Sequence, residues 1–344
     1  METERRAWRN SGRRRSDLDP PPGTRHKRSL SVRQTRVPYR YAILDVFTDT
    51  PLAGNPLAVL LDAAGLDDAR MQAIAAEFNL SETVFCFPAA NPVHSASVRI
   101  FTPRRELPFA GHPTVGTAVY IASERVKAGV GLAESVVILE EKVGPVRCGV
   151  FLKQTQIESG RRGGHAIFDV PRIPEPLGVS LDRELIAAAL GLAPAEIGFE
   201  NHQPTAFSAG APYIYVPVRN LDVIGRAAPV AGPWASAIAD VSHAMYLYCR
   251  ETIGVGRQFH ARCFAPTAGI AEDPATGGAA AAFPGVIKHF DAHPSGSHRF
   301  TIEQGFEMGR PSLITLEVDI EGSAVAAARI GGDAVVVAEG TLHV

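Results

Sequence analysis

A chain of 344 residues has length for about two domains, each large enough to bury a full core. Its 46% hydrophobic and 20% charged content is that of a soluble globular enzyme, and no stretch of about 18 apolar residues is available to span a bilayer as a helix. The net charge of −2 is uneven: residues 1–36 hold 11 of the 34 basic residues and 4 of the 36 acidic ones, so the remainder is acidic and lacks the basic face that nucleic-acid binding needs.

Residues 1–36, with Arg13-Arg14-Arg15, Pro20-Pro21-Pro22 and Lys27-Arg28, have little apolar periodicity and read as a disordered basic tail without the apolar core of a secretory signal. Order is expected from Tyr39. Strands are predicted at Tyr41–Phe47 and Leu57–Leu61, then a helix over Asp67–Phe78 with Met71, Ile74, Ala75 and Phe78 on one face. Strands follow at Glu82–Phe87, Ser95–Phe101, Val136–Leu139 and Val146–Leu152, with a helix starting near Gly111 among them. In the second half, helices are predicted at Ser180–Leu192, Pro233–His243 and after Gly277. Strands are predicted near Tyr213–Val218, at Met245–Cys249 and Phe259–Phe264, and as three closing strands, Leu313–Ile320, Ala324–Ile330 and Ala334–Glu339. Few strands are joined by helices at regular βα spacing, which argues against a doubly wound parallel sheet. The expected class is α+β, each half a mostly antiparallel, barrel-like sheet around a central helix.

The two halves echo one another. Gly54-Asn55-Pro56 returns as Gly210-Ala211-Pro212, Val84–Phe87 as Met245–Tyr248, Arg99–Pro103 as Arg262–Pro266, and the turn before Gly111 as the turn before Gly277. The offsets between matched residues grow in order through 156, 161, 163 and 166 residues, as loop insertions in a duplicated domain would produce. Two pseudo-symmetric domains follow, 37–160 and 161–333, around a cleft, with the last strand near 334–344 free to return to the first.

The chemistry concentrates at two helix starts, Gly111-His112-Pro113 and Gly277-Gly278. Facing starts would converge their unpaired N–H groups and positive dipole ends on one spot, which suits a substrate carboxylate. Glycine there admits a close approach or a left-handed backbone, and is also the default residue of any tight turn. Neither start carries the lysine of a phosphate-binding loop. Glu82 opens an apolar strand, where a carboxyl would have a raised pKa suited to taking and returning a proton; the plainer alternative is a solvated glutamate. His112 either assists a proton or packs at a helix start, and Asp273 before Pro274 reads equally as a helix cap. Asn55 and Arg310 read as fold-maintaining. Cys86, Cys148, Cys249 and Cys263 have no C-x-x-C spacing and read as buried free thiols of a reducing cytosol. His289 and His293 are spaced i,i+4, but Pro294 and Gly296 follow at once and no acidic partner is in register, so no metal site is expected.

Six ordered motifs resemble the PhzF-like phenazine-biosynthesis isomerase family: Asp45-Val46-Phe47, Pro51–Val59, Asn79–Thr83, Phe109–Gly116, Glu272–Gly277, and Gln304-Gly305 with Gly309–Ser312. The resemblance implies the diaminopimelate epimerase-like fold, a cytoplasmic homodimer, and an isomerase without metal or organic cofactor. It places the acid/base carboxylate on Glu82 and supporting polar groups on His112 and Asp273, with the amides of Gly111, His112, Gly277 and Gly278 holding the substrate carboxylate. It points to dihydro-hydroxyanthranilate-type substrates, although the family often has serine where this chain has Gly278. Epimerases of the fold use a pair of thiols at positions that here are Ala110 and Thr276, so a two-thiol racemase is not expected. A non-catalytic ligand-binding or interaction role is the alternative, and an amino-acid epimerase a weaker one.

Overall fold

The computed structural model describes residues 38–129, 132–153, 162–238 and 241–344. The basic tail and the expected boundary at 160/161 lie outside the described residues. The first half runs β1 (Pro38–Val46), β2 (Asn55–Leu60), α1 (Asp68–Phe78), β3 (Glu82–Phe87), β4 (Ala96–Phe101), β5 (Glu106–Leu107), α2 (Gly111–Lys127), β6 (Glu134–Glu141), β7 (Gly144–Leu152) and β8 (Gly163–Asp169). The second runs β9 (Glu175–Pro176), α3 (Arg183–Ala189), β10 (Thr205–Ser208), β11 (Pro212–Pro217), α4 (Leu221–Arg226), α5 (Ala231–Ile238), β12 (Met245–Cys249), β13 (Phe259–Ala265), β14 (Ile270–Asp273), α6 (Gly277–Phe290), β15 (Gly296–Gln304), β16 (Ser312–Glu321) and β17 (Ala324–His343).

Strand pairing repeats between the halves. β1/β2 is antiparallel, β2/β3 parallel, β3/β4 antiparallel, β4/β6 parallel, and β6/β7 and β7/β8 antiparallel. The same succession of directions joins β10, β11, β12, β13, β15, β16 and β17. β17 closes the first array, pairing with β8 through its middle and with β1 from Val46↔Ala334 to Pro38↔His343. The class is α+β, with barrel-like sheets around α2 and α6. Residues 111–123 of α2 are all buried, as are nearly all of residues 277–287 of α6. A helix apolar all round needs such a sleeve of strands. Phe283 of α6 packs edge-on against Tyr248 and Phe259, with ring centroids 4.9 Å away in each case.

Local signals worked where side chains act on their own backbone. Asp67 caps α1 by accepting from the Arg70 amide, and Asn79 ends it in the left-handed region at φ 51°. Longer-range effects altered other expectations. The helix expected over Ser180–Leu192 is only Arg183–Ala189, capped by Asp182 and stopped before Gly191 at φ 66°. The helix expected over Pro233–His243 is Ala231–Ile238, with 239–240 outside the described residues; a short helix, Leu221–Arg226, capped by Asn220, precedes it. The two closing strands expected on either side of Gly331-Gly332 are one strand. The glycines mark close packing and not a turn, since a Cβ on Gly331 would lie 2.7 Å from the Ala166 carbonyl of the neighbouring β8. Among the described residues no helix is long and apolar enough to cross a membrane.

Candidate active site

The starts of α2 and α6 abut backbone to backbone. A Cβ on Gly111 would lie 2.7 Å from the Gly277 Cα, and one on Gly277 would lie 2.8 Å from the Gly111 Cα and 3.0 Å from the His112 nitrogen. Neither glycine has a positive φ, so the left-handed explanation is corrected: close approach alone demands glycine here. Ala110 and Thr276 occupy the N-cap positions, and neither side chain caps its helix. The leading N–H groups therefore have no helical acceptor and no side-chain cap.

Glu82 is the first residue of β3, opposite Leu57 of β2. Its side chain is 12% exposed, and Oε2 stands 3.3 Å from Nε2 of His112, outside good hydrogen-bond geometry, so that Nε2 is buried without a partner. The other ring nitrogen, Nδ1, faces the Asn55 amide nitrogen at 3.3 Å. That amide directs its two hydrogens to Asp273 Oδ1 at 2.9 Å and to the Ala275 carbonyl at 3.0 Å. Burial pushes the His112 pKa down to about 3, so its contact with Glu82 involves a neutral imidazole and is not an ion pair.

Asp273 ends β14 and does not cap α6; the cap expectation is corrected, because Thr276 stands between it and the helix. Its carboxylate accepts from Asn55, from Ser81 Oγ at 3.1 Å and from Thr276 Oγ1 at 2.6 Å. Gln304 Nε2 donates to the Asp273 carbonyl at 2.7 Å and to Thr276 Oγ1 at 3.0 Å, fixing this corner. Burial raises the pKa of both carboxyls, and the nearby Asp273 pushes Glu82 further. Three donors oppose the rise at Asp273 and none is recorded at Glu82, so Glu82 is the carboxyl held well above the ordinary carboxylate range.

A cavity of about 490 Å³ is lined by all six residues singled out from the sequence, Glu82, Gly111, His112, Asp273, Gly277 and Gly278, and also by Arg105, Arg172, Tyr213, Ala244 and Cys263. Burial raises the Cys263 thiol pKa, which keeps the thiol protonated. Asn55 and Ser81 were not predicted as site residues. Asn55 lies beside a glycine and a proline, which locally mark only a turn, and it gains its role from Asp273, distant in sequence. Arg310 donates to the Gly54 and Ala53 carbonyls and pairs with Asp45, so it ties loops together. The one cluster with metal-ligand spacing among the described residues, Glu200, His202 and Asp291, lies outside the cavity and holds the Arg250 guanidinium.

The phenazine biosynthesis-like protein family model, PhzC-PhzF, matches residues 44–340. The chain belongs to this family. A relative from Mesorhizobium japonicum, named an uncharacterized isomerase, is 50% identical over 90% of this chain and 100% of its own length. The trans-2,3-dihydro-3-hydroxyanthranilate isomerase of Pseudomonas fluorescens is 32% identical over 88% of this chain and 99% of its own. The crystal structure of a PhzF-family phenazine biosynthesis protein from Bacillus anthracis superposes with a TM-score of 0.77 at 26% identity, covering 90% of this chain and 100% of that one. The PhzC-PhzF chain is thus an isomerase, which removes the non-catalytic alternative.

The internal repeat shows how this PhzC-PhzF site is asymmetric. Ala58 pairs with Thr83 in the first half, and Ile214 with Met245 in the second; with Ala58 matched to Ile214 by the Gly54/Gly210 offset, the strand register corrects the sequence echo by one residue, matching Thr83 rather than Val84 to Met245 and so Glu82 to Ala244, next to His243. Through the Gly111–Gly277 match, His112 corresponds to Gly278. At these two matched positions the first half carries Glu82 and His112 where the second carries Ala244 and Gly278, while Asp273, Tyr213, Cys263 and His243 of the second half also line the cavity.

Proposed function

We propose that the chain is a cofactor-independent isomerase that moves a proton between carbons of a small unsaturated or cyclic carboxylic acid, of the trans-2,3-dihydro-3-hydroxyanthranilate type, with Glu82 as the acid/base group. The observation that carries this reading is the desolvated Glu82 carboxyl, with raised pKa, in a cavity where the repeat puts Ala244 at the matching position. One carboxyl on one wall takes the proton and returns it to the same face of the conjugated system. An epimerase needs a second acid/base group opposite, and Ala244, Ala110 and Thr276 do not supply one.

The amides of Gly111, His112, Gly277 and Gly278 hold the substrate carboxylate where the positive ends of α2 and α6 meet. This places the ring edge toward Glu82. His112, neutral and with Nε2 free of a protein partner, hydrogen-bonds a substrate heteroatom, and Asp273, fixed by Asn55, Ser81 and Thr276, accepts from one. Docking carbon beside a desolvated carboxyl replaces a bimolecular proton transfer with an oriented one. The homodimer that the resemblance implies belongs to the same proposal, and light scattering in solution tests it.

The test is isomerisation of trans-2,3-dihydro-3-hydroxyanthranilate in D₂O, followed by NMR. Wild-type protein is expected to move the proton with deuterium entering from solvent through Glu82. Glu82→Gln keeps size but has no transferable proton and is expected to lose about 10²–10⁴-fold in turnover. Full turnover by Glu82→Gln would remove Glu82 from the mechanism.

A further inference from the structure

Gly278 is the second residue of α6, and the space where its side chain would stand is filled. A Cβ there would lie 2.7 Å from the Tyr213 hydroxyl oxygen and 3.4 and 3.5 Å from Cζ and Cε2 of that ring. Tyr213 comes from β11, where its backbone pairs with Phe207 of β10 and its neighbour Ile214 with Met245 of β12. The sheet thus sets its direction toward the start of α6. Its ring lines the same cavity as Glu82 and Asp273, and its hydroxyl has no protein hydrogen-bond partner among the described residues. In the first half, the matching helix position carries His112 with its own imidazole in the cavity; in the second, a tyrosine reaches in from the sheet over a bare glycine.

We propose that Tyr213 is a substrate-binding residue whose hydroxyl donates to the substrate carboxylate beside the Gly278 amide, and that glycine occupies 278 to make room for it. This rests on the carboxylate cleft proposed above. Several observations converge on it. The hydroxyl is a donor without a protein acceptor, set against amides that also lack one. Burial, together with the nearby Cys263, Asp273 and Glu82, raises its pKa, so it keeps its hydrogen across the physiological range. A partnerless donor facing a cavity gains most from a charged acceptor, for which hydrogen bonds are roughly twice as strong as between neutral groups. The ligand class is a small carboxylate whose carboxyl group lies flat across both helix starts, with Tyr213 contacting the oxygen nearer α6. Tyr213 and residue 278 form one specificity unit: a hydroxyl can reach this point from the sheet or from the helix, and a Cβ at 278 displaces the tyrosine hydroxyl from its place.

The experiment is titration calorimetry of the full chain with 3-hydroxyanthranilate and benzoate as carboxylate probes and 2-aminophenol as the probe lacking the carboxylate, with melting temperatures measured in parallel. Tyr213→Phe is expected to weaken both carboxylates roughly tenfold, leaving 2-aminophenol and the melting temperature unchanged. Gly278→Ser alone is expected to lose carboxylate binding, since its Cβ collides with the tyrosine hydroxyl. Combining Gly278→Ser with Tyr213→Phe is expected to recover affinity to within about threefold of wild type, because the collision is gone and a serine hydroxyl replaces the lost donor. If Gly278→Ser does not fold, Tyr213→Phe alone decides. Wild-type carboxylate affinity in Tyr213→Phe would overturn the proposal while leaving the cleft standing. Failure of wild-type protein to bind either carboxylate would overturn the cleft itself, and this proposal with it.

Discussion

Gly277→Ala tests the junction of the two helix starts. The added Cβ would lie 2.8 Å from the Gly111 Cα and 3.0 Å from the His112 nitrogen. Carbon atoms in favourable contact sit about 3.5–4.0 Å apart, so the helices must part by about 0.7–1.2 Å. Both sides of the contact are backbone in buried first turns, and neither can swing aside as a flexible side chain would. Overpacking of this kind costs about 1–3 kcal/mol, which for a chain of this size lowers the melting temperature by about 1–4 °C. The effect on chemistry is larger than the effect on stability, because the same movement displaces His112 and the carboxylate-holding amides relative to Glu82, and a misplacement of about 1 Å can cost about 10²-fold in rate. Gly111→Ala, 2.7 Å from the Gly277 Cα, is expected to behave alike. The double variant is expected to cost less than the sum, since helices already parted admit the second methyl group cheaply. Thermal denaturation and turnover in D₂O read both quantities. Wild-type melting and full turnover in Gly277→Ala would show that the approach of the two backbones is not required, and the shared anion site would fall with it.

Two pH dependences follow from the buried carboxyls. Thr114 Oγ1 stands 2.7 Å from both the Ala110 carbonyl and Glu141 Oε1, and burial pushes the Glu141 pKa up to about 8 against the opposing hydrogen bond from Thr114. The unfolded chain loses the Glu141 proton near the ordinary glutamate value, so the stability contribution is full below that value and is lost as pH rises through about 8. Glu141→Gln keeps a hydrogen-bonding group at Thr114 and is expected to flatten the fall in melting temperature between about pH 5 and pH 8; an unchanged slope would place the proton elsewhere. For activity, Glu82 must be ionised to accept a proton from carbon, so kcat/KM is expected to rise with pH through an apparent pKa well above the ordinary carboxylate range. That value belongs to the Glu82–Asp273 pair, and Asp273→Asn is expected to shift it downward by removing the second negative charge; an acid limb at the usual glutamate value would count against the desolvated base.

Apolar periodicity, glycine and proline punctuation and the ordered echoes between halves determined the α+β class, the existence of most strands, and the two buried central helices. These features are local or repeated, and a short window contains their physical cause. The repeat singled out the helix starts with Gly111, His112, Asp273, Gly277 and Gly278, and the resemblance to the PhzF-like family placed the acid/base carboxylate on Glu82; the fold brings all six to one cavity. Only tertiary structure decided what surrounds them. Asn55 and Asp273 are 218 residues apart, and a donor looks like a turn residue until its acceptor arrives. The single strand through Gly331-Gly332 likewise depended on a neighbouring strand that the sequence did not reveal, because glycines set for close packing and glycines set for a turn have the same signature. The asymmetry of the cavity is of the same kind. Ala244 and Tyr213 carry no sign of function in their own segments, and they acquire one from the residues that face them, Glu82 in one case and Gly278 in the other.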